Sequence, residues 1–278
     1  MVFLKKTSFI LLIFFLISCS VAGRWWYDRL DIFISNYFFD YAEFSYEQKS
    51  YIRKITKDYL RWNTSQEIPK YITLLIEVKE LNQETTSKDI KLIRNQGENL
   101  FLTSNNFFIP HIINFCETLT DIQVEEIREF FEERITKREA SLEKSKDIKP
   151  QEKNTKFFKS MSRIMGVKLN KRQLDVIRNM SVEITDKTSH SIKKQKEWDK
   201  ELISILENRK DKNFSLNLKR HLDNLLTSNT DEYRENIYNE IIAKTISSFD
   251  NKQSNKFKRR IEVFISSLDK ILLNQKYE

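Results

Sequence analysis

The sequence predicts an all-α fold, on three observations. Helix-start signals recur along the chain, apolar residues step by three and four, and glycine and proline are scarce at three each. No stretch sustains the period-two alternation of a half-buried strand. The composition, 32% charged and 40% hydrophobic, suits a folded helical chain, not a disordered one. We expect long antiparallel helices, in a bundle or in elongated helical hairpins, opened by four capping boxes.

Each box has one pattern: an aromatic or aliphatic residue, a capping residue, two free positions, glutamine, three free positions, an apolar residue and a base. The copies are Phe44-Ser45 to Gln48 and Ile52-Arg53, Leu119-Thr120 to Gln123 and Ile127-Arg128, Leu169-Asn170 to Gln173 and Ile177-Arg178, and Phe249-Asp250 to Gln253 and Phe257-Lys258. Ser, Thr, Asn and Asp accept hydrogen bonds from the free N–H groups of a first helical turn. Glutamine three residues later reaches back to the cap's own N–H. Leu119 with Val124, and Leu169 with Leu174, fit hydrophobic staples. On this reading the glutamines act locally. Thr120→Ala costs ~1 kcal/mol, and glutamate at 123 is tolerated because it also completes a box.

Apolar stripes continue the helices. One runs through Ile52, Ile55, Tyr59 and Trp62, another through Val124, Ile127, Phe131 and Ile135. Phe214, Leu218, Leu222 and Leu225 mark a short helix, and Phe257, Ile261, Phe264, Leu268 and Leu272 a long one. Pro69 opens a helix carrying Ile72, Leu75 and Ile76. Thr103-Ser104-Asn105-Asn106, before Pro110, reads as a turn. Lys149-Pro150 lies in a polar linker, and Gly166 separates Met165 from the third box. Uneven spacing of the four glutamines disfavours a solenoid. Two related halves dividing near 150–168 are expected.

The N-terminus reads as an export signal. Lys5 and Lys6 precede the run Phe9 to Ile17, too short to span a bilayer, which needs ~20 apolar residues, but right for a signal-peptide core. Leu16-Ile17-Ser18-Cys19 resembles the bacterial lipobox. Residues 1–18 are therefore expected to be removed and Cys19 to be acylated, with fatty chains such as palmitate holding the mature chain to a membrane. Ser20, in place of aspartate, leans towards the outer membrane and a periplasmic location. Residues 19–43 form a lipidated tether with an aromatic segment, 44–150 an N-terminal helical part and 151–278 a C-terminal one. Trp25, Trp26 and Tyr27, with Arg24 and Arg29, either rest at the membrane–water interface or pack onto the domain.

Chemistry is sparse. His111, His190 and His221 lack paired spacing, so no metal or other cofactor is expected. No G-x-S-x-G elbow exists. Cys116 reads as a buried apolar cysteine, and Glu125-Glu126 and Glu132-Glu133 as a solvated face. The formal charge of +8 is modest, and nucleic acid is not an expected partner. The basic clusters Lys193-Lys194-x-Lys196 and Lys256-x-Lys258-Arg259-Arg260 are solvated or meet anionic lipid.

Leu119-Thr120-Asp121-Ile122-Gln123 resembles the LTxxQ signature of the Spy/CpxP-like periplasmic proteins, small helical proteins that include an ATP-independent chaperone and envelope-stress regulators. A broader resemblance starts at Arg29-Leu30-Asp31. It continues through Tyr37-Phe38-Phe39 with Asp40-Tyr41, Glu47-Gln48, and Glu67-Ile68-Pro69 with Tyr71. These are similar to a family of uncharacterised proteobacterial lipoproteins with a domain of unknown function. The match covers most of the mature chain and is densest over 28–71. Ser45-Tyr46-Glu47-Gln48 lacks that family's acidic cap, and Ile68 replaces its leucine. The resemblance implies location and architecture, and no activity. The expectation is a membrane-anchored, non-enzymatic, protein-binding or chaperone-like module with periplasmic clients. The alternatives are a structural envelope protein contacting anionic lipid or peptidoglycan, and an enzyme without a recognisable motif.

Overall fold

The computed structural model describes residues 27, 29–227 and 231–275. The expected signal peptide 1–18, Cys19, Ser20, Arg24, Trp25 and Trp26 lie outside the described residues, and so does the side chain of Leu225. The fold is all-α, with no strand among the described residues. The helices are α1 (Leu30–Phe39), α2 (Tyr46–Trp62), α3 (Ile68–Glu80), α4 (Ser87–Cys116), α5 (Asp121–Lys144) and α6 (Pro150–Ile164). They continue with α7 (Lys171–Met180), α8 (Thr188–Glu207), α9 (Phe214–Thr227), α10 (Glu232–Ser247) and α11 (Asn251–Gln275). None of these is long and apolar enough to cross a membrane.

Side chains set the helix starts. The Ser45 N–H donates to Gln48 Oε1 at 2.9 Å, and the Gln48 N–H donates to Ser45 Oγ at 3.2 Å, opening α2. The same two bonds join Thr120 with Gln123 before α5, Asn170 with Gln173 before α7, and Asp250 with Gln253 before α11. A fifth box, Thr86 with Asp89, opens α4. It uses aspartate where glutamine or glutamate is usual, so its sequence signal is weak. Pro69 stands in the first turn of α3, but no loop precedes it. The chain passes from α2 through a π-helical segment, Asn63–Glu67, directly into α3. Gly166 ends α6 at φ +77°, and a Cβ there would lie 3.3 Å from the Lys256 carbonyl oxygen and from Arg260 Cβ. Both facts call for glycine.

Some expectations about the helices fail: Pro150, read as part of a polar linker, is the first residue of α6. Thr103 to Asn106 is no turn; it lies inside the 30-residue α4, which carries Pro110 without breaking. The polar side chains satisfy themselves against the helix: Thr103 Oγ1 donates to the Asn99 carbonyl and Asn105 Nδ2 to that of Phe101. Phe107 and Phe108 beyond them lie against Tyr59 and Trp62 of α2, and this packing overrides local turn preference. Ile76 is not part of the buried face of α3; it is exposed, and Leu74 lies buried beside Leu75.

The halves repeat one arrangement and exchange a helix. Each begins with a packed pair, α1 with α2 and α6 with α7. The helix that follows then crosses over: α3 packs on α11 of the second half, and α8 packs on α5 of the first. Two apolar cores result, and each draws on both sides of residue 150. One joins Phe44, Ile52, Leu119 and Phe131 to Leu202, Leu206, Phe214 and Leu218. The other joins Tyr27, Leu30, Ile68 and Leu75 to Phe158, Ile177, Ile241 and Phe264. The staple partners sit together: Leu119 with Val124 in the first core, and Leu169 with Leu174 in or against the second.

Candidate binding clefts at two glutamine-paired corners

The four capping glutamines meet in pairs across the fold. At the first corner, Gln48 Nε2 donates to Gln123 Oε1 at 3.0 Å, and Gln123 Nε2 donates back to Gln48 Oε1 at 2.7 Å. The remaining amide hydrogens hold the chain segments ahead of each helix: Gln48 reaches the Thr118 carbonyl at 3.1 Å, and Gln123 that of Glu43 at 2.9 Å. The second corner repeats this. Gln173 and Gln253 exchange hydrogen bonds at 2.9 and 3.0 Å, Gln173 reaches the Ser248 carbonyl at 3.0 Å, and Gln253 that of Lys168 at 2.9 Å. Partners 75 and 80 residues apart are thus joined by each helix start. The uneven spacing of the glutamines is the spacing of two pairs, not of a four-fold repeat.

This geometry corrects the tolerance expected of glutamate at 123. Its carboxylate would complete the box but donate nothing, leaving two oxygens, of Glu43 and Gln48, facing a charge. The glutamines are therefore both caps and ties between helices.

Beside each pair lies an open cleft, and the two clefts carry opposite charge. The first, about 510 Å3, is lined by Phe39, Tyr41 and Phe130 with Asp40, Glu43, Glu126, Glu129, Glu133 and Lys49. Glu126 accepts a hydrogen bond from the Glu43 N–H at 2.8 Å, so part of the face read as merely solvated also holds the corner. The second, about 490 Å3, is lined by Arg172, Val176, Lys244, Asn170, Gln173, Thr245 and Ser248. Charge inverts at matching positions. Glu43 precedes the first corner's Phe44 where Lys168 precedes Leu169. Three and six residues after the second glutamine stand Glu126 and Glu129 in one corner, and Lys256 and Arg259 in the other. All the basic members of this set are exposed. Across the chain, residues 19–149 hold 19 Lys and Arg against 22 Asp and Glu, whereas 150–278 hold 27 against 18.

Other singled-out residues fall elsewhere. Tyr27 is buried, its hydroxyl 2.8 Å from Thr64 Oγ1; it packs onto the domain. It belongs to a polar nest at the π-helical segment, in which Tyr71 bonds Asn63 and Ser104. There Glu67 is fully buried, with Oε1 2.6 Å from Lys70 Nζ and Oε2 without a hydrogen-bond partner. Burial pushes the Tyr59 and Tyr71 hydroxyls above the usual tyrosine range. Cys116 is half-buried at the end of α4, and burial pushes its thiol up to about 12. His111 lies beside Phe107, and His190 is exposed. His221 is buried; its ring stacks on Trp198, and its Nε2 lies 3.0 Å from the Trp198 carbonyl. No group of side chains suited to a metal ion exists among the described residues. Lys196 pairs with Glu139 at 2.7 Å, whereas Lys193 and Lys194 are exposed.

A family model described as a family of unknown function, DUF6279, matches residues 40–236. The chain belongs to the DUF6279 family. The match includes the whole first corner, α8 and the third capping box. No curated protein and no solved structure matches the chain. The expected membership of an uncharacterised family holds.

Proposed function

We propose that this DUF6279 protein is a lipid-anchored module of the bacterial envelope. Cys19 holds it at the periplasmic side of the outer membrane, where it binds partner proteins in a chaperone-like manner and transforms no substrate. The observation that carries the reading is the acidic cleft at the first corner. Asp40, Glu43 and Glu129 gather there in no ion pair among the described residues, beside Phe39, Tyr41 and Phe130. Carboxylates over an aromatic wall suit an extended partner segment bearing lysine or arginine, by charge complementarity and cation–π contact. The lipobox supports the location. A second reading, contact with anionic lipid or peptidoglycan, is favoured by the basic second corner at Lys168, Lys256 and Arg259.

Two measurements test the proposal. Cys19→Ser should abolish palmitate labelling and release the chain from membranes; persistent labelling overturns the anchor. Crosslinking in intact envelopes should capture partners with the native chain and lose them with Glu43→Lys and Glu129→Lys combined. Capture that survives those changes but is lost with Lys256→Glu and Arg259→Glu moves the site to the second corner.

A further inference from the structure

We propose that the hairpin of α1 and α2 docks on an anionic bilayer surface. α1 presents its apolar outer face to lipid, and a basic row of α2 meets the headgroups. This rests on the lipid-anchor reading and adds an orientation to it.

The first observation is α1 itself. Leu30 and Ser35 face inward, while Ile32 and Tyr37 are each 53% exposed. Apart from exposed Asn36, the outer face of α1 is thus apolar as well, which a helix covered on one face does not require. The second is α2. It is tied to α1 by Ser35 Oγ and Thr56 Oγ1 at 2.8 Å. Beside this tie run Arg53 and Lys57, one helical turn apart; Lys49, a turn before Arg53, is half-buried and lines the acidic cleft. The Arg53 guanidinium lies 5.2 Å from the ring centre of Phe39, the last residue of α1. Arg53 and Lys57 are exposed and stand in no ion pair among the described residues. A row of bases beside an apolar helix face is the pattern of an interfacial segment, where apolar burial and attraction to anionic lipid add.

The third observation selects the occupant. Tyr27 fixes where the chain enters the domain, through its bond to Thr64. Eight residue steps separate it from Cys19, reaching at most ~29 Å even when fully extended. The tether therefore holds α1 close to the bilayer. Trp25 and Trp26 lie within that stretch, and tryptophan favours the interface.

The test uses the acylated mature protein carrying Tyr37→Cys, labelled with a maleimide of the environment-sensitive dye NBD. Cys116 reacts slowly, because its thiol is held protonated by burial. The labelled protein is reconstituted into vesicles of phosphatidylcholine, alone or mixed with phosphatidylglycerol. A label at exposed Leu216→Cys on α9 is the control. The expected result is a blue shift and intensity gain at 37, larger with phosphatidylglycerol, and none at 216. Arg53→Glu with Lys57→Glu should weaken the phosphatidylglycerol-dependent response roughly tenfold or more and leave the chain in the vesicle fraction. A label at 37 that behaves like the control overturns the proposal while the anchor stands. So does a response indifferent to anionic lipid and to the charge reversals, or one that appears only when envelope proteins are added, which assigns the face to a protein. A chain found unacylated and in the supernatant defeats the anchor instead; its flotation with phosphatidylglycerol vesicles then tests docking alone, and failure to float overturns it.

Discussion

At the scale of single residues, the four glutamines bear the most structure per side chain. Each amide uses its oxygen for a helix cap and its nitrogen for a partner helix. Removing one partner of a buried hydrogen bond costs ~1–3 kcal/mol, so changing the amide and leaving the cap intact isolates the second role. Gln123→Glu should lower stability by ~2–3 kcal/mol at neutral pH, since it forfeits bonds to Glu43 and Gln48, whereas Thr120→Ala loses the cap for ~1 kcal/mol. Thermal melts of both variants decide the order. The introduced carboxyl is disfavoured in its charged form, which raises its folded-state pKa above the unfolded value. Its protonated form is then favoured by folding, so the deficit should shrink as pH falls. A Gln123→Glu melt equal to that of the native chain would remove the tie and leave only the cap.

At the scale of elements, α2, α3, α5, α7, α9 and α11 were legible because their signals are local. Capping boxes and apolar stripes are decided within a dozen residues, and α5 and α11 show both in full. The turn expected within α4 fails for a non-local cause. Thr103 to Asn106 is helical because α4 packs Phe107 and Phe108 against α2, a contact that no short window contains. The glutamine pairing and the acidic cleft escaped for the same reason, since Glu43 and Glu126 meet only after 83 residues. The clasp between α8 and α9 is equally non-local. His221 Nε2 donates to the Trp198 carbonyl at 3.0 Å, the tautomer following from that acceptor, and the indole N–H returns a longer bond at 3.4 Å. Glu201 lies 3.3 Å from Nδ1. Burial lowers the pKa of His221 below the ordinary 6.5, against the pull of Glu201. The unfolded chain then binds the proton better, so stability is lost as pH falls below 6.5 and the loss is complete below the folded value. Chemical denaturation of the native chain against His221→Gln should show the native midpoint falling more steeply over this interval. Parallel profiles would exclude His221 as the source.

At the scale of the whole molecule, the exchange of α3 and α8 makes each half incomplete. Ile68, Leu74 and Leu75 of α3 are buried, and Ile68 and Leu75 join the core built around α11; Leu202, Ile203 and Leu206 of α8 are buried in the core built around α5. Burying one such side chain contributes ~1.5–3 kcal/mol. Three of them on a crossing helix thus contribute an amount comparable to the ~5–15 kcal/mol that separates folded from unfolded domains. Cutting the chain between 149 and 150 leaves those faces in water, although it removes no residue and breaks neither glutamine pair. Fragments 20–149 and 150–278 should therefore show little cooperative helix when produced alone, and should regain a single cooperative melt when mixed in equal amounts. Circular dichroism of each fragment and of the mixture is the measurement. A fragment that melts cooperatively on its own would show that its glutamine-paired corner suffices as a folding unit, and that the crossing helices add contact without deciding stability.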